Sequence, residues 1–246
     1  MEKLNFKGFK REVDNSLYSV VFCHGILGSP TFFDFLTPLI SYDISYYSIL
    51  LDGHGGKVQD FSKASMKKRK QNVSDLIEYL ISKRQKIIFV GHSMGTLLGI
   101  KEAVKHKEIE YLILLNPPLV AHYPLSTILD NLKAIYTNSN DLKIVAIKES
   151  SSVTLSKNLF LYLGWIPRFI ELLKFIKESR TTLKNLTTPT IAFHSLNDEL
   201  VSNKSKDYLD ENKNIKVLLL NSGHYYYEES DKNLIIKEFQ KILENP

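Results

Sequence analysis

The chain has 246 residues, of which 43% are hydrophobic and 24% charged, values that are typical of a globular protein and exclude global disorder. Its single cysteine, Cys23, cannot form an internal disulfide, which excludes a disulfide-stabilised small fold and favours a reducing cytoplasm. The formal net charge of +5 is mild, and we interpret it, together with the basic run at 67–70, as a lysine-rich solvated surface. No nucleic-acid motif accompanies it. We also expect no membrane insertion, because the apolar runs are short and the first residues lack the apolar region of a signal peptide.

Short apolar segments alternate with helical patterns along the chain. Residues 3–13 could form an antiparallel strand, and the buried strands that follow are predicted at 19–23, 44–50, 87–90, 111–115, 190–193 and 217–220. Helical patterns lie near 31–40, 67–84, 94–106, 203–211 and 231–243. Most of the strand segments are apolar at every position, as in parallel sheets that are covered by helices on both faces. The pattern therefore predicts an α/β protein with a mostly parallel, doubly wound sheet.

The segment 117–188 interrupts this alternation because it contains no convincing strand. Helix-like pieces occur instead at 125–136, 140–150, 157–163 and 167–182, and the only tryptophan, Trp165, lies among them. An excursion of this length is too long for a simple connection between strands. We therefore predict a single domain over residues 1–246, with 117–188 inserted as a small helical cap at one end of the sheet.

The most specific motif is Gly91-His92-Ser93-Met94-Gly95, which follows a predicted strand and precedes a predicted helix. A serine between two glycines at a strand-to-helix junction is typical of a nucleophile elbow, in which a tight turn exposes the hydroxyl above the sheet. The glycines allow neighbouring backbone to approach closely. The alternative is a glycine-rich turn with a helix-capping serine. We predict that Ser93 is a nucleophile.

A serine hydroxyl needs a base, and catalytic groups in such sheets follow the carboxyl ends of strands. His224 comes directly after the last predicted strand and is the best candidate among seven histidines. The acid that orients it is expected after the preceding strand, where Asp198 lies, although a helix-capping role for Asp198 is the alternative. Glu199 and Asp207 are weaker candidates for the acid.

Acyl transfer also needs hydrogen-bond donors for the negative charge that develops on the carbonyl oxygen. The backbone N–H of Met94, directly after the nucleophile, is one expected donor. The second is expected in the loop after the first parallel strand, which reads His24-Gly25-Ile26-Leu27-Gly28, and we predict the N–H of Ile26.

These elements, in this order and strand context, resemble the α/β-hydrolase superfamily. The segment Asp52-Gly53-His54-Gly55, the small cap and Ser222-Gly223-His224 look more specifically like small bacterial carboxylesterases and monoacylglycerol lipases. The resemblance covers about 18–243. It implies an α/β-hydrolase fold, a triad of Ser93, Asp198 and His224, and a compact cap that lines an acyl pocket. Thr96 departs from the pattern, because many relatives carry a glycine there.

Four further residues, His24, His54, His92 and Trp165, are possible parts of a substrate pocket, and three of them have a structural alternative. His24 and His54 could instead stabilise their loops, Trp165 could instead pack the cap, and His92 lies within the motif itself. No residue spacing fits a metal site, and no glycine-rich loop fits a dinucleotide or phosphate, so we expect no metal and no cofactor.

The predicted activity is hydrolysis of short or medium acyl esters or monoacylglycerols through an acyl-enzyme on Ser93. Thioesterase or acyltransferase activity would use the same triad and stays open. A non-catalytic ligand-binding protein of the same fold is the alternative from another class. A dehalogenase or epoxide hydrolase would need a carboxylate where Ser93 stands. The expected partner is a small-molecule ester, and the sequence leaves the oligomeric state open.

Overall fold

A computed structural model describes residues 7–122 and 151–244, together with residues 133, 136, 140, 144, 145 and 148. Within these ranges the chain forms a seven-stranded sheet in the order β1-β3-β2-β4-β5-β6-β7. The strands are β1 Gly8–Arg11, β2 Tyr18–Cys23, β3 Ser45–Ile49, β4 Lys86–His92, β5 Ile109–Leu115, β6 Thr190–Ser195 and β7 Ile215–Leu220. Only the edge strand β1 is antiparallel to its neighbour, and every other pair is parallel. The predicted sheet is confirmed.

The inner strands β2 and β4 are buried on both faces, which explains why they are apolar at most positions. In β2, Val21 and Cys23 belong to one hydrophobic cluster, whereas Val20 and Phe22 belong to the cluster on the other face. The same alternation separates Phe89 from Val90 in β4, where both are fully buried. The doubly wound α/β class predicted from the sequence is therefore confirmed.

Helices cover the two faces. The described α-helices are α1 Val58–Lys63, α2 Met66–Ser82, α3 Met94–Lys105, α4 Ile166–Leu183, α5 Lys204–Asp210 and α6 Glu229–Glu244. The predicted helix at 31–40 is instead two 3₁₀ turns, Pro30–Phe33 and Thr37–Leu39. Pro38 explains the interruption, because proline lacks the N–H that a continuing helix needs. Helix α1 was not predicted, since six residues are too few to show a helical period.

The segment predicted as a cap is described only in part, because its expected helices at 125–136 and 140–150 lie outside the described residues, apart from a few isolated positions. Its later part forms a 3₁₀ helix, Leu159–Trp165, that continues directly into α4. Helix α4 buries Leu172, Phe175 and Ile176 in the same core cluster as α3. The second half of this segment thus belongs to the helix layer of the sheet, and the cap boundaries stay a prediction.

The basic run at 67–70 differs from the expectation of a solvated surface at one position. The side chain of Arg69 is fully buried, its guanidinium lies 4.4 Å from the centre of the Phe61 ring, and its Nε donates to the carbonyl oxygen of Asp52. The reason is helical periodicity: α2 also buries Met66 and Val73, three before and four after position 69. Among the described residues, no helix combines the length and apolar character that a membrane span requires.

Candidate active site

Ser93 occupies the junction between β4 and α3, where the backbone turns sharply. Its φ of 50° and ψ of −122° fall in a region that non-glycine residues seldom adopt. The turn is held because Ser93 N–H donates to the carbonyl oxygen of Leu115 and the hydroxyl of Thr96 donates to the carbonyl oxygen of Ser93. Such strain persists only where surrounding contacts fix the backbone. The tight, strained turn expected from the motif is therefore present, and Thr96 contributes a bond to it.

The two glycines of the motif are required by close backbone approach. A β-carbon on Gly91 would lie 2.7 Å from the carbonyl carbon of Gly95. A β-carbon on Gly95 would overlap the carbonyl oxygen of Cys23 at the end of β2. Neither position can hold a side chain without moving backbone, so the glycines bring β2, β4 and the start of α3 together beneath Ser93.

Asp198 and His224 are joined by a hydrogen bond of 2.8 Å between Oδ2 and Nδ1. The other carboxylate oxygen of Asp198 accepts the N–H groups of Leu200 and Val201, which fixes the carboxylate. Because a carboxylate accepts, Nδ1 of His224 donates and Nε2 is left to act as a base. Ser93 and His224 are both described, and no hydrogen bond joins their side chains here; such bonds often tighten only when substrate binds.

The pKa of His224 reflects opposing effects. Burial lowers it, whereas the negative charge of Asp198, its hydrogen bond and the charge of Glu199 raise it, and the net shift is upward. A base with a raised pKa binds a proton more strongly, which suits proton abstraction from a hydroxyl. The ring is almost fully buried, so solvent does not screen these charges.

Three side chains fix the backbone around His224. Glu199 Oε2 accepts the N–H of His224 at 2.8 Å, so this carboxylate holds the loop while Asp198 holds the ring. His92 Nε2 donates to the carbonyl oxygen of His224 at 3.2 Å. Asn116 Nδ2 donates to the carbonyl oxygen of Gly223.

The weaker acid candidate Asp207 is exposed in α5.

Two of the residues that organise this loop were not found from the sequence. Asn116 follows β5 with a φ of 51° and also accepts the N–H of Ser195, so it links β5, β6 and the His224 loop. Asp231 Oδ2 accepts the N–H groups of Asn221 and Ser222 and the hydroxyl of Ser222. The sequence offers one signal for Asn116, which is a polar residue directly after a buried strand. It offers none for Asp231, because an acidic residue in the first turn of a helix is common.

The loop after β2 lies directly against Ser93. A β-carbon on Gly25 would lie 2.7 Å from Cβ of Ser93, and Gly28 N–H donates to the carbonyl oxygen of Gly25 to close the turn. Among the described residues, the N–H groups of Ile26 and Met94 donate no hydrogen bond. Both predicted donors are therefore unused within the part of the chain that the structure describes.

The four residues predicted as possible pocket walls are all buried. His24 Nδ1 donates to the carbonyl oxygen of Gly25, and His54 Nε2 accepts the N–H of Leu27. Burial lowers the pKa of His24 to about 4 and that of His54 well below its usual value. His92 stacks on the ring of Phe32 at 3.9 Å between ring centres.

Trp165 is anchored by its indole N–H, which donates to the carbonyl oxygen of Val58 at 2.9 Å. Its ring packs against Phe61 with 4.7 Å between the ring centres. These residues form an apolar cluster, and partly buried Ile26 and Leu27 pack against it. The cluster thus places aromatic surface next to the loop that holds the predicted donor Ile26.

The alpha/beta hydrolase family model matches residues 20–235. The chain belongs to the alpha/beta hydrolase family. This confirms the superfamily resemblance that was drawn from the motif order. A search of the curated proteins found no match.

Solved structures of lipolytic enzymes share the fold of this family member. A structure from the work on LipS and LipT, two metagenome-derived lipolytic enzymes, has a TM-score of 0.72 at 16% identity, with 100% of each chain covered. A soluble variant of monoglyceride lipase from Saccharomyces cerevisiae, in complex with a substrate analog, has a TM-score of 0.62 at 17% identity, covering 99% of this chain and 94% of that one. Monoacylglycerol lipase from Paleococcus ferrophilus has a TM-score of 0.64 at 15% identity, covering 96% and 99%. At these identities the likeness shows the fold.

The site of this hydrolase-family chain offers proton-transfer groups and backbone donors. Within residues 7–122 and 151–244 and the six isolated positions, no cluster of three or more histidine, cysteine, aspartate or glutamate side chains could hold a metal ion. Cys23, the only thiol, is fully buried at the end of β2, and burial raises its pKa. Among the described residues, the predicted nucleophile Ser93 and the hydrogen-bonded pair of Asp198 and His224 are therefore the groups best suited to chemistry.

Proposed function

We propose that this protein is a serine hydrolase of carboxylic esters, which acts through an acyl-enzyme on Ser93. The observation that carries the proposal is the 2.8 Å hydrogen bond between Asp198 and His224, in a loop that is tied by His92 to the motif containing the strained Ser93. A buried histidine–carboxylate pair at this position leaves one imidazole nitrogen to take a proton from the serine.

In the proposed reaction, His224 Nε2 takes the proton of the Ser93 hydroxyl while Oγ attacks the ester carbonyl carbon. The tetrahedral oxyanion receives hydrogen bonds from the N–H groups of Ile26 and Met94. His224 then gives its proton to the leaving alkoxide, the carbon–oxygen bond of the alcohol breaks, and the acyl group stays on Ser93. Water repeats the same steps and releases the acid, while Asp198 stabilises the transient imidazolium.

The substrate class that we propose is short or medium acyl esters and monoacylglycerols. The apolar cluster of Val58, Phe61 and Trp165 borders Ile26 and Leu27, and apolar surface at this place suits an acyl chain. The lipolytic enzymes with the same fold are consistent with this class.

A panel of p-nitrophenyl esters, thioesters and monoacylglycerols tests the proposal. We expect the esters to be hydrolysed, with a preference for uncharged acyl chains. Preferred cleavage of thioesters would assign a thioesterase, and transfer to an added alcohol in place of hydrolysis would assign an acyltransferase.

A fluorophosphonate probe separates an enzyme from a binding protein of the same fold. We expect covalent labelling of the wild type and none of a Ser93→Ala variant. Folded wild-type protein that resists the probe would favour the non-catalytic alternative.

A further inference from the structure

Two buried histidines connect the backbone of Leu51, which follows β3, to the loop that lies against Ser93. Leu51 N–H donates to His24 Nε2 at 3.2 Å, and His24 Nδ1 donates to the carbonyl oxygen of Gly25 at 2.8 Å. On the second path, His54 Nδ1 donates to the carbonyl oxygen of Leu51 at 3.1 Å, and His54 Nε2 accepts the N–H of Leu27 at 3.1 Å. One peptide segment thus holds the loop through two imidazoles.

The partners define the protonation of both rings. A carbonyl oxygen only accepts and a backbone N–H only donates, so each ring must carry its proton on Nδ1 and leave Nε2 free. Both histidines are therefore neutral and in the same tautomer. Their rings contact each other edge to face, with 4.7 Å between the centres, and both nitrogens of each ring have a backbone partner.

These bonds determine where the N–H of Ile26 points. The carbonyl oxygen of Gly25 and the N–H of Ile26 belong to one planar trans peptide and point in opposite directions. A bond that fixes the Gly25 oxygen therefore fixes the direction of the Ile26 N–H. His54 fixes the next peptide through Leu27, whose φ of 60° is uncommon for a leucine and requires support from its surroundings.

We propose that His24 and His54 are positioning residues, which act as a pair to aim the N–H of Ile26 at the oxyanion. This inference rests on the proposed esterase function. Because backbone groups occupy both nitrogens of each ring, we assign the two histidines to the loop and not to contact with the substrate.

Two substitutions at His54 separate positioning from general packing. Glutamine places its terminal amide near the position of Nε2, so His54→Gln keeps an acceptor for Leu27 N–H. Asparagine reaches only the position of Nδ1, so His54→Asn loses that acceptor. In His54→Asn we expect kcat to fall by about 10²-fold, as on loss of an oxyanion donor, while KM stays nearly unchanged. In His54→Gln we expect kcat to return most of the way to the wild-type value. Equal kcat values for the two variants would overturn the inference.

Amide hydrogen exchange gives a readout that does not depend on activity. We expect the Leu27 amide to exchange faster in His54→Asn than in wild type, while the amide of Leu114 in the central strand β5 keeps its protection and reports that the fold is intact. Unchanged exchange at Leu27 would overturn the inference even if the wild type is an active esterase. Faster exchange at Leu27, with no ester hydrolysis by the wild type, would support the histidine pair as the anchor of the loop and reject the proposed function alone.

Discussion

His92 Nε2 lies 3.2 Å from the carbonyl oxygen of His224, so the residue before the predicted nucleophile holds the backbone of the predicted base. The two rings are 4.9 Å apart between centres, and Phe32 stacks on the ring of His92. This contact couples the strand-to-helix turn of β4 to the loop after β7. The position of His224 relative to Ser93 therefore depends on the side chain of residue 92.

Replacing His92 with leucine should misplace His224, because the leucine has no donor for the carbonyl oxygen. We expect kcat to fall by about 10-fold to 10²-fold, as is typical when a catalytic group is displaced by about 1 Å. His92→Gln is the matched variant, since its amide N–H reaches near the position of Nε2, and it should retain most of the activity. Steady-state kinetics on a p-nitrophenyl ester measures both. A leucine variant as active as the glutamine variant would contradict the role of this bond.

Glu199 should influence the acid limb of the pH–rate profile through its charge. The charges of Asp198 and Glu199 raise the pKa of His224 against the effect of burial. Since His224 must be neutral to accept a proton, Glu199→Gln should move the acid limb of kcat/KM to lower pH, while the glutamine oxygen still accepts the His224 N–H. Glu229→Gln, at an exposed position in α6, is the control and should leave the limb in place. A limb that does not move, or moves to higher pH, in Glu199→Gln would contradict this electrostatic effect.

The buried histidines predict a loss of stability in acid. Burial lowers the pKa of His24 to about 4, with a smaller contribution from the positive charge of Arg69, and burial also lowers the pKa of His92 well below 6.5. The unfolded chain then binds more protons than the folded chain between about pH 6.5 and pH 4, so the free energy of unfolding falls as pH decreases through that window. The contribution of His24 is on the order of 3 kcal/mol.

Urea denaturation at several pH values between 7.5 and 4.5 measures this dependence. The free energy of unfolding should fall less steeply with decreasing pH in His92→Gln than in wild type, because glutamine does not titrate. An equally steep decline in that variant would show that other groups, such as carboxylates, dominate the acid transition.

Gly95 should tolerate no side chain. A β-carbon there overlaps the backbone oxygen of Cys23, and backbone in the core cannot move cheaply. We expect Gly95→Ala to lower the free energy of unfolding by about 3 kcal/mol or more. In Gly56→Ala the new β-carbon approaches only the carboxylate end of Asp60, an exposed side chain that can move aside, so this control should cost much less. Thermal unfolding compares the two, and equal destabilisation would contradict the special role of Gly95.

The sheet could be predicted from the sequence because a strand that is buried on both faces leaves an unbroken apolar run. The segment 19–23 appears in the structure as Tyr18–Cys23, and 87–90 appears as Lys86–His92. The motif order predicts Ser93, Asp198 and His224 as a triad, and the structure joins the last two by a hydrogen bond. Each of these signals is local, since it depends on a few consecutive residues or on the end of a strand.

The supporting contacts could not be predicted because they join residues far apart in the chain. Asn116 bonds to Gly223 across 107 positions, and Arg69 is buried only because α2 turns that residue toward Phe61. Pairings of this kind depend on the packing of helices and loops against the sheet, which no periodicity in the sequence encodes.

Hydrolysis of a short p-nitrophenyl ester by wild type and Ser93→Ala tests the proposed role of Ser93 most directly. Ser82→Ala, at an exposed position near the end of α2, is the matched control for the same change in side chain. We predict that Ser93→Ala reduces kcat by about 10⁶-fold while the protein stays folded, and that Ser82→Ala has wild-type activity. Turnover by Ser93→Ala close to that of wild type would contradict the assignment of Ser93 as the nucleophile.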